Sequence, residues 1–401
     1  LPGTGGGTLA VAAERRILLI NNFFNPPSQT QRNRTTSVAR NNYRITTVES
    51  GRHADILDKD MAKGSKRISI HDLAAELGLS ISTISRALNN AADVSDATKA
   101  QVWALAEKLN YQPNSLAASL RSGRSNMLGV IVPHINGAFF PAVVHGIERL
   151  ASKAGFNVMI CQSSEEVARE KKHINALLKA QVDGVLVSMS STTHEFAHFE
   201  QVRRKGTPLV FFDRIPELPD VCGVVVDDYR GAYQLTEHLL AQGCRRIAHL
   251  AGPQHLNITF NRHQAYRDAL LAHGLPYDEQ LVIPLQNSRE SGGAAAMRHL
   301  LDAGGQPDAV FAAYDFAAAG ALQVLEERGL RVPEDLALAG FSNEPFTTMV
   351  KPRLTSVDQR GELMGEAAVQ LFLQLLKRTD TFTGQRIVLK PKLLIRESSL
   401  H

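Results

Sequence analysis

Residues Ile70–Asn89 read IHDLAAELGLSISTISRALN. Ile70, Leu73, Ala74 and Leu77 fall at helical spacing and form one apolar stripe. Gly78 follows at once, where a helix end calls for a positive φ. Ser80 stands where the next helix needs an N-cap. That second helix carries Ile84, Ala87 and Leu88 inward and leaves Ser82, Thr83, Ser85, Arg86 and Asn89 for solvent or a partner. Two short helices, a glycine turn and a face of small polar residues plus arginine make the pattern of a DNA-binding helix-turn-helix. An αα-hairpin that only packs its own core would use the same residues, so the flanking sequence has to decide.

Val94-Ser95-Asp96 opens a third helix, with Ser95 as cap and Asp96 favourable in the first turn. It carries Val102, Leu105, Ala106 and Leu109 and stops at Asn110-Tyr111-Gln112-Pro113-Asn114. Ser115-Leu116-Ala117-Ala118-Ser119-Leu120-Arg121 follows, too short to be a stable helix alone. In LAAELGLSISTISRALN, then VSDATKAQV, then LNYQPNSLAASLRSGRS, then LGVIVP, the chain resembles the lactose-repressor (LacI/GalR) family, with matching spacing and no gap. The resemblance covers roughly residues 66–399 and implies a sequence-specific transcriptional regulator, expected to be a repressor, under allosteric control by a small effector.

The resemblance also assigns roles. With Ser80 as cap, Ile81 and Ser82 at the start of the recognition helix face base edges in the major groove. Arg86, one turn on, is suited to a bidentate contact with guanine. Ser85 lies on the same helix and is counted with this surface. Thr83, Asn89, Ser95 and Thr98 suit phosphates, which position the protein without specifying sequence. In the linker, Asn114, Ala117, Ala118 and Leu120 match the family's hinge helix, which pairs with a second copy on DNA. Leu120 stands at the wedge that enters a central base step. One helix-turn-helix reads only a few base pairs, so a homodimer on a near-palindromic double-stranded operator is expected. Some relatives add a C-terminal leucine heptad that makes tetramers. Here Leu400 and His401 follow Ser399, and a dimer is expected.

Charge agrees with a DNA-binding N-terminal part. Residues 1–60 and residues 61–125 each hold eight Lys/Arg against five Asp/Glu, whereas the whole chain carries only +4. The basic excess therefore sits with the helix-turn-helix, as a phosphate footprint requires. Cys161, Cys222 and Cys244 are odd in number, far apart and without metal-ligand spacing, which fits reduced thiols in a cytoplasmic protein. No apolar run approaches the ~20 residues needed to span a bilayer. Residues 1–60 read as a disordered or non-native upstream extension, rich in Asn, Arg, Thr, Ser and Pro between 22 and 44. Relatives begin a few residues before the first helix, and Met61 stands at that point.

At 401 residues the chain is too long for one small domain. The expected division is 61–112 for the helix-turn-helix, 113–125 for hinge helix and linker, and 126–401 for the core. From Asn126 apolar strands alternate with amphipathic helices: Leu128–Val132, Asn157–Ile160, Gly184–Val187, Leu209–Phe212, Gly223–Val226, Ile247–Leu250, Leu281–Ile283, Ala309–Ala312 and Leu336–Phe341. Near-continuous apolar strands between helices mean doubly wound parallel sheets covered on both faces. There are too many units for one comfortable sheet, so two lobes are expected. The family's core resembles a periplasmic sugar-binding protein in this respect.

Ligands of such folds sit at the carboxyl ends of strands, here between the lobes. Strand ends supply His134, Asn136, Phe139 and Phe140; then Asp213 and Arg214; then Tyr314 and Asp315; then Ser342 and Asn343. Arg262 stands where the family places an effector-gripping arginine. A sugar or sugar derivative is the expected effector, with hydrogen bonders and aromatic plates converging on it. Ser342-Asn343 replaces the Asp pair of many relatives, so no well-known sugar specificity transfers directly. The alternatives to a place in the cleft are core for Phe139 and Phe140, a turn or cap for Asp213 and a helix surface for Arg262.

Catalysis finds no support. There is no Walker-type loop, no His/Cys metal cluster and no paired carboxylate constellation, so no enzyme, no cofactor and no metal are expected. The rival reading is a solute-binding protein of sugar transport. It requires a secretory signal and no helix-turn-helix, the reverse of this chain.

Overall fold

A computed structural model describes residues 68–111, 124–377 and 384–400. The N-terminal unit has three helices: α1 (Ile70–Leu77), α2 (Ile81–Leu88) and α3 (Asp96–Lys108). Ser69 caps α1 in a reciprocal box with Asp72. Gly78 ends it in the left-handed region at φ 63, a conformation glycine adopts without Cβ strain. Ser80 and Ser95 cap α2 and α3, accepting from Thr83 N and Thr98 N at 3.2 Å each. Leu73, Ile84, Ala87, Val102, Leu105 and Ala106 form one small core.

The core region is two α/β lobes. In the first lobe, β1 (Met127–Val132), β2 (Asn157–Gln162), β3 (Gly184–Val187), β4 (Leu209–Phe212), β5 (Gly223–Val226) and β11 (Arg386–Leu389) make a parallel sheet in the order β11-β5-β4-β3-β1-β2. Helices α4 (Phe139–Lys153) and α11 (Gly361–Lys377) cover one face, and α5 (Val167–Lys179) and α6 (Ala197–Arg204) the other. The central strands β3 and β4 are buried along their whole length, the reason their sequences read as unbroken apolar runs.

The second lobe repeats the plan. Strands β6 (Ile247–Ala251), β7 (Val282–Pro284), β8 (Ala309–Ala312) and β9 (Ala337–Ala339) pair in parallel in the order β7-β6-β8-β9. Helices α7 (Asp228–Ala241) and α8 (Asn257–Ala272) pack on one face, α9 (Glu290–Asp302) and α10 (Asp315–Glu327) on the other. An antiparallel pair, β10 (Ser356–Asp358) and β12 (Lys392–Leu394), extends this lobe. The outer helix pair of each lobe crosses at reciprocal glycines. A Cβ on Gly146 would meet the Glu362 carbonyl and one on Gly365 the Val143 carbonyl. In the second lobe Gly320 faces the Glu290 carbonyl and Gly293 the Ala317 carbonyl in the same way.

The chain passes between lobes three times, at β5 into α7, at β10 into α11 and at β11 into β12. Two helices start earlier than their apolar periodicity indicates. Helix α7 begins at Asp228, because Asp227 caps it by accepting from Arg230 N at 3.0 Å. Helix α8 begins at Asn257. Both extensions bring polar residues to the boundary between lobes.

Candidate functional site

On α2 the exposed residues are Ser80, Ile81, Ser82, Arg86 and Asn89, with Ile81 at 41%. Thr83 and Thr98 are half-buried and Ser95 is exposed. The Ser80 hydroxyl shares hydrogen bonds of 2.8 Å with both the Ser82 and the Thr83 hydroxyls. The start of the helix is thus a fixed polar cluster beside one apolar side chain. Arg86 pairs with Asp93, its Nε donating to Oδ1 at 3.3 Å, and both side chains are about half exposed. Ser85 departs from the sequence reading. It is 9% exposed and lies beside Ile84 and Ala87 on the inner side of α2, and its carbonyl accepts from Asn89 Nδ2 at 2.7 Å. A serine is small enough to pack there, so its polarity misleads. Asn114, Ala117, Ala118 and Leu120 lie outside the described residues.

Between the lobes lies a cavity that is partly open to solvent. His134, Phe139, Phe140, Asp213, Arg214, Arg262, Tyr314, Asp315 and Ser342 line it, all singled out by the sequence. So do Ile258, Ser288, Phe316, Glu344 and Gln359, which were not. Asn136 is exposed and outside the lining. Asn343 is also outside, with φ 55 and its side-chain oxygen accepting from Arg396 Nη2 at 2.7 Å. Ser342 and Glu344 thus face the cavity from the turn after β9, and Asn343 between them does not. Phe316 and Glu344 each stand one residue beyond a singled-out pair, so the strand-end rule stopped one residue short. Gln359 comes from the second crossing, and no motif marks it.

The cavity wall is an ion-pair framework. The Arg262 guanidinium donates from Nε to Asp228 Oδ1 at 2.8 Å, from Nη1 to the Ala313 carbonyl at 2.7 Å and from Nη2 to Gln359 Oε1 at 2.9 Å. Its carbon sits 3.7 Å from the centre of the Phe341 ring. The expected effector-gripping fork is therefore largely committed to the protein, and it braces two of the three crossings, at Asp228 and Gln359. Gln359 passes the link on, donating to the Ser342 hydroxyl at 3.0 Å. Arg214 Nη1 donates to both oxygens of Glu165, at 3.0 and 2.8 Å.

Burial raises the carboxyl of Asp213, and it pushes those of Asp228 and Asp315 up to about 7. Arg262 pulls Asp228 back only in part. The Ser356 hydroxyl and the Glu344 N–H, donating to Asp315 at 2.7 and 2.8 Å, do the same there. Burial also acts to raise Glu165, but the charge and hydrogen bonds of Arg214, with the Ser191 N–H, bring it down to about 2. His134 is held below the ordinary histidine range, first by burial and then by Arg214.

A helix-turn-helix followed by a two-lobed α/β core with an interlobe cavity defines a ligand-responsive DNA-binding protein. Residues 69–114 match the model of bacterial regulatory proteins of the lacI family, and residues 236–399 match a periplasmic binding protein-like domain. The chain is 33% identical over 334 residues to the HTH-type transcriptional regulator DegA of Bacillus subtilis, covering 83% of this chain and 98% of that protein. It is 32% identical to the ribose operon repressor of Halalkalibacterium halodurans, over 82% of this chain and 97% of the repressor. Among solved structures, a transcriptional regulator CelR–cellobiose complex matches at TM-score 0.64 and 33% identity, over 83% of this chain and all of that one. A lac repressor dimer bound to operator and an anti-inducer matches at TM-score 0.74 and 25% identity, over 84% of this chain and all of that one. The chain belongs to the lacI family of bacterial regulatory proteins. It is a transcriptional regulator and not an enzyme. Among the described residues no helix is long and apolar enough to cross a membrane.

Proposed function

We propose that this regulator acts as a homodimeric, operator-binding repressor released or recruited by a sugar held between its lobes. The observation that carries the effector half is the convergence of eight residues that follow strand ends, together with Arg262 of α8, on one interlobe cavity, with aromatic rings and hydrogen bonders together. Similar regulators have been solved with cellobiose and with ribose bound, which supports a sugar here. Ile81 and Ser82 read base edges, Arg86 reads a guanine, and Thr83, Asn89, Ser95 and Thr98 meet phosphates. Two copies on a near-palindrome supply enough readout for specificity, and the similar lac repressor binds its operator as a dimer. The domain division proposed from sequence is kept: 1–60 as an extension without a role in either activity, 61–112 for DNA, 113–125 for the hinge and 126–401 for effector and dimer contacts.

The hinge residues Asn114, Ala117, Ala118 and Leu120 are proposed, on the family resemblance alone, to couple core to operator. The effector can shift that coupling only by its differential affinity for the two states. A fluorescence-anisotropy titration on the operator nearest its own gene, with and without candidate sugars, tests the whole reading. A sugar that shifts operator affinity supports it; operator binding that no sugar shifts removes the sugar. For the hinge, Leu120→Ala is expected to weaken specific binding far more than non-specific binding and to reduce DNA bending. Unchanged bending removes Leu120 from the wedge.

A further inference from the structure

Three features of the interlobe cavity ordinarily attract an anion: Arg214, Arg262 and the N-terminus of α4, whose free N–H groups point outward. Each already holds a carboxylate of the protein. Glu165 takes Arg214 at 2.8 and 3.0 Å, and Asp228 takes Arg262 at 2.7 Å. Glu344, reaching across from the second lobe, accepts from Ala138 N at 2.7 Å and from Phe139 N at 3.3 Å. Its carboxylate is buried and forms part of the cavity wall. Asp213 adds a further carboxyl 3.9 Å from Arg214 Nε, and Asp315 adds another. Arg289 acts on His134 at longer range, but it is exposed and outside the lining, where water screens it.

Among the described residues that line the cavity, neither arginine is left without a carboxylate. The cavity does have neutral hydrogen-bonding side chains in its lining, Ser288, Tyr314, Ser342 and Gln359. Ligand hydroxyls suit such a lining, because each can both donate to and accept from these groups without bringing a charge. Phe139, Phe140 and Phe316 supply flat apolar surface beside them.

We infer that the effector is an uncharged polyhydroxy compound, and that Glu344 excludes phosphorylated and acidic sugars by occupying the α4 N-terminus and adding negative charge to the cavity wall. This rests on reading the cavity as the effector site. An anionic ligand would have to displace Glu344 or lie unpaired among carboxylates, and either costs more than a neutral ligand incurs.

Two measurements on the full chain test it. In the first, thermal-shift and calorimetric titrations compare glucose, ribose and cellobiose with glucose 6-phosphate, ribose 5-phosphate and glucuronate. Any member that binds is expected to be neutral. Saturable binding of a charged member without its neutral counterpart overturns the inference while leaving the effector site standing. In the second, acetate and inorganic phosphate are titrated into the parent and into Glu344→Ala. The parent is expected to be indifferent. The variant, with the helix N-terminus vacated, is expected to bind acetate at least about tenfold more tightly, ~1.4 kcal/mol. Glu344→Gln keeps an acceptor for Ala138 N while losing the charge, and is expected to admit the sugar phosphates better than the parent does. Phosphate binding by the parent, or no gain in either variant, overturns the inference. Gain of acetate binding with no sugar bound at all leaves the charge exclusion standing and removes the sugar reading instead.

Discussion

Arg262 and Asp228 lie 2.7 Å apart, Nη2 to Oδ1, and both side chains are 1% exposed. A buried pair of this kind adds little net stability, but removing one partner strands the other charge. Arg262→Ala is expected to cost ~3–5 kcal/mol in urea denaturation for that reason. Arg262→Met combined with Asp228→Leu removes both charges and is expected to recover much of the loss. If the double variant is as unstable as the single one, the ion pair is not what Arg262 contributes, and its contacts with Ala313 and Gln359 carry the cost.

The Arg86–Asp93 pair calls for a different sign. Both side chains are about half exposed, so the pair is worth ~0–1 kcal/mol and is easily surrendered to DNA. Asp93→Ala is expected to leave stability almost unchanged and to raise affinity for DNA at low salt, since it frees Arg86 and removes a charge that repels phosphate. Arg86→Ala is expected to relax discrimination at one base position by ~1–3 kcal/mol. Binding-site selection on random DNA reads the second effect, and a salt series of anisotropy titrations the first.

His249 sits in the middle of β6, fully buried, with Nδ1 against the Phe311 carbonyl at 2.9 Å and Nε2 unmatched. Burial lowers its pKa from the ordinary 6.5 to about 3. The folded chain therefore refuses a proton that the unfolded chain accepts. The stability this group contributes is present above pH 6.5, and is lost as pH falls toward about 3. His249→Phe keeps an aromatic ring between Tyr266 and Phe311 and is expected to move the acid-unfolding midpoint to lower pH, as followed by circular dichroism. An unmoved midpoint assigns the acid transition to other groups.

At Gly320 two effects oppose each other. Alanine in a helix gains up to ~1 kcal/mol over glycine. A Cβ at this position, however, meets the Glu290 carbonyl of the neighbouring helix, and backbone cannot step aside as a side chain can. Overpacking of this kind costs ~1–3 kcal/mol, so Gly320→Ala is expected to lower the urea midpoint. A raised midpoint would mean that the α9–α10 crossing has room to open.

Much of this architecture is legible in the residues, and the exceptions have physical causes. Helical spacing, Gly78 and Ser80 define the helix-turn-helix because its core is local, built within about forty residues. Apolar runs reveal the parallel strands because both faces of each sheet are covered. Ser85 is misplaced because polarity is a weak guide to burial for so small a side chain. Glu344 escapes notice because it stands one residue past the pair Ser342-Asn343, and Gln359 because it belongs to a crossing that no motif marks. Arg262 is placed correctly in the cavity, but its partners, Asp228 and Gln359, are distant in sequence, so its commitment to them cannot be read from its position alone.

The three passages between lobes also set the order in which the molecule can be completed during synthesis. The helix-turn-helix is contiguous and can fold as soon as it leaves the ribosome. Neither lobe has that freedom. The first sheet waits for β11, and its outer face for α11, both made after nearly all of the second lobe. A growing chain therefore presents a finished DNA-binding module well before it has a finished core. For that interval β5 is an open sheet edge and the α4 face is uncovered, which makes the unfinished first lobe the part of the nascent protein most in need of protection from aggregation.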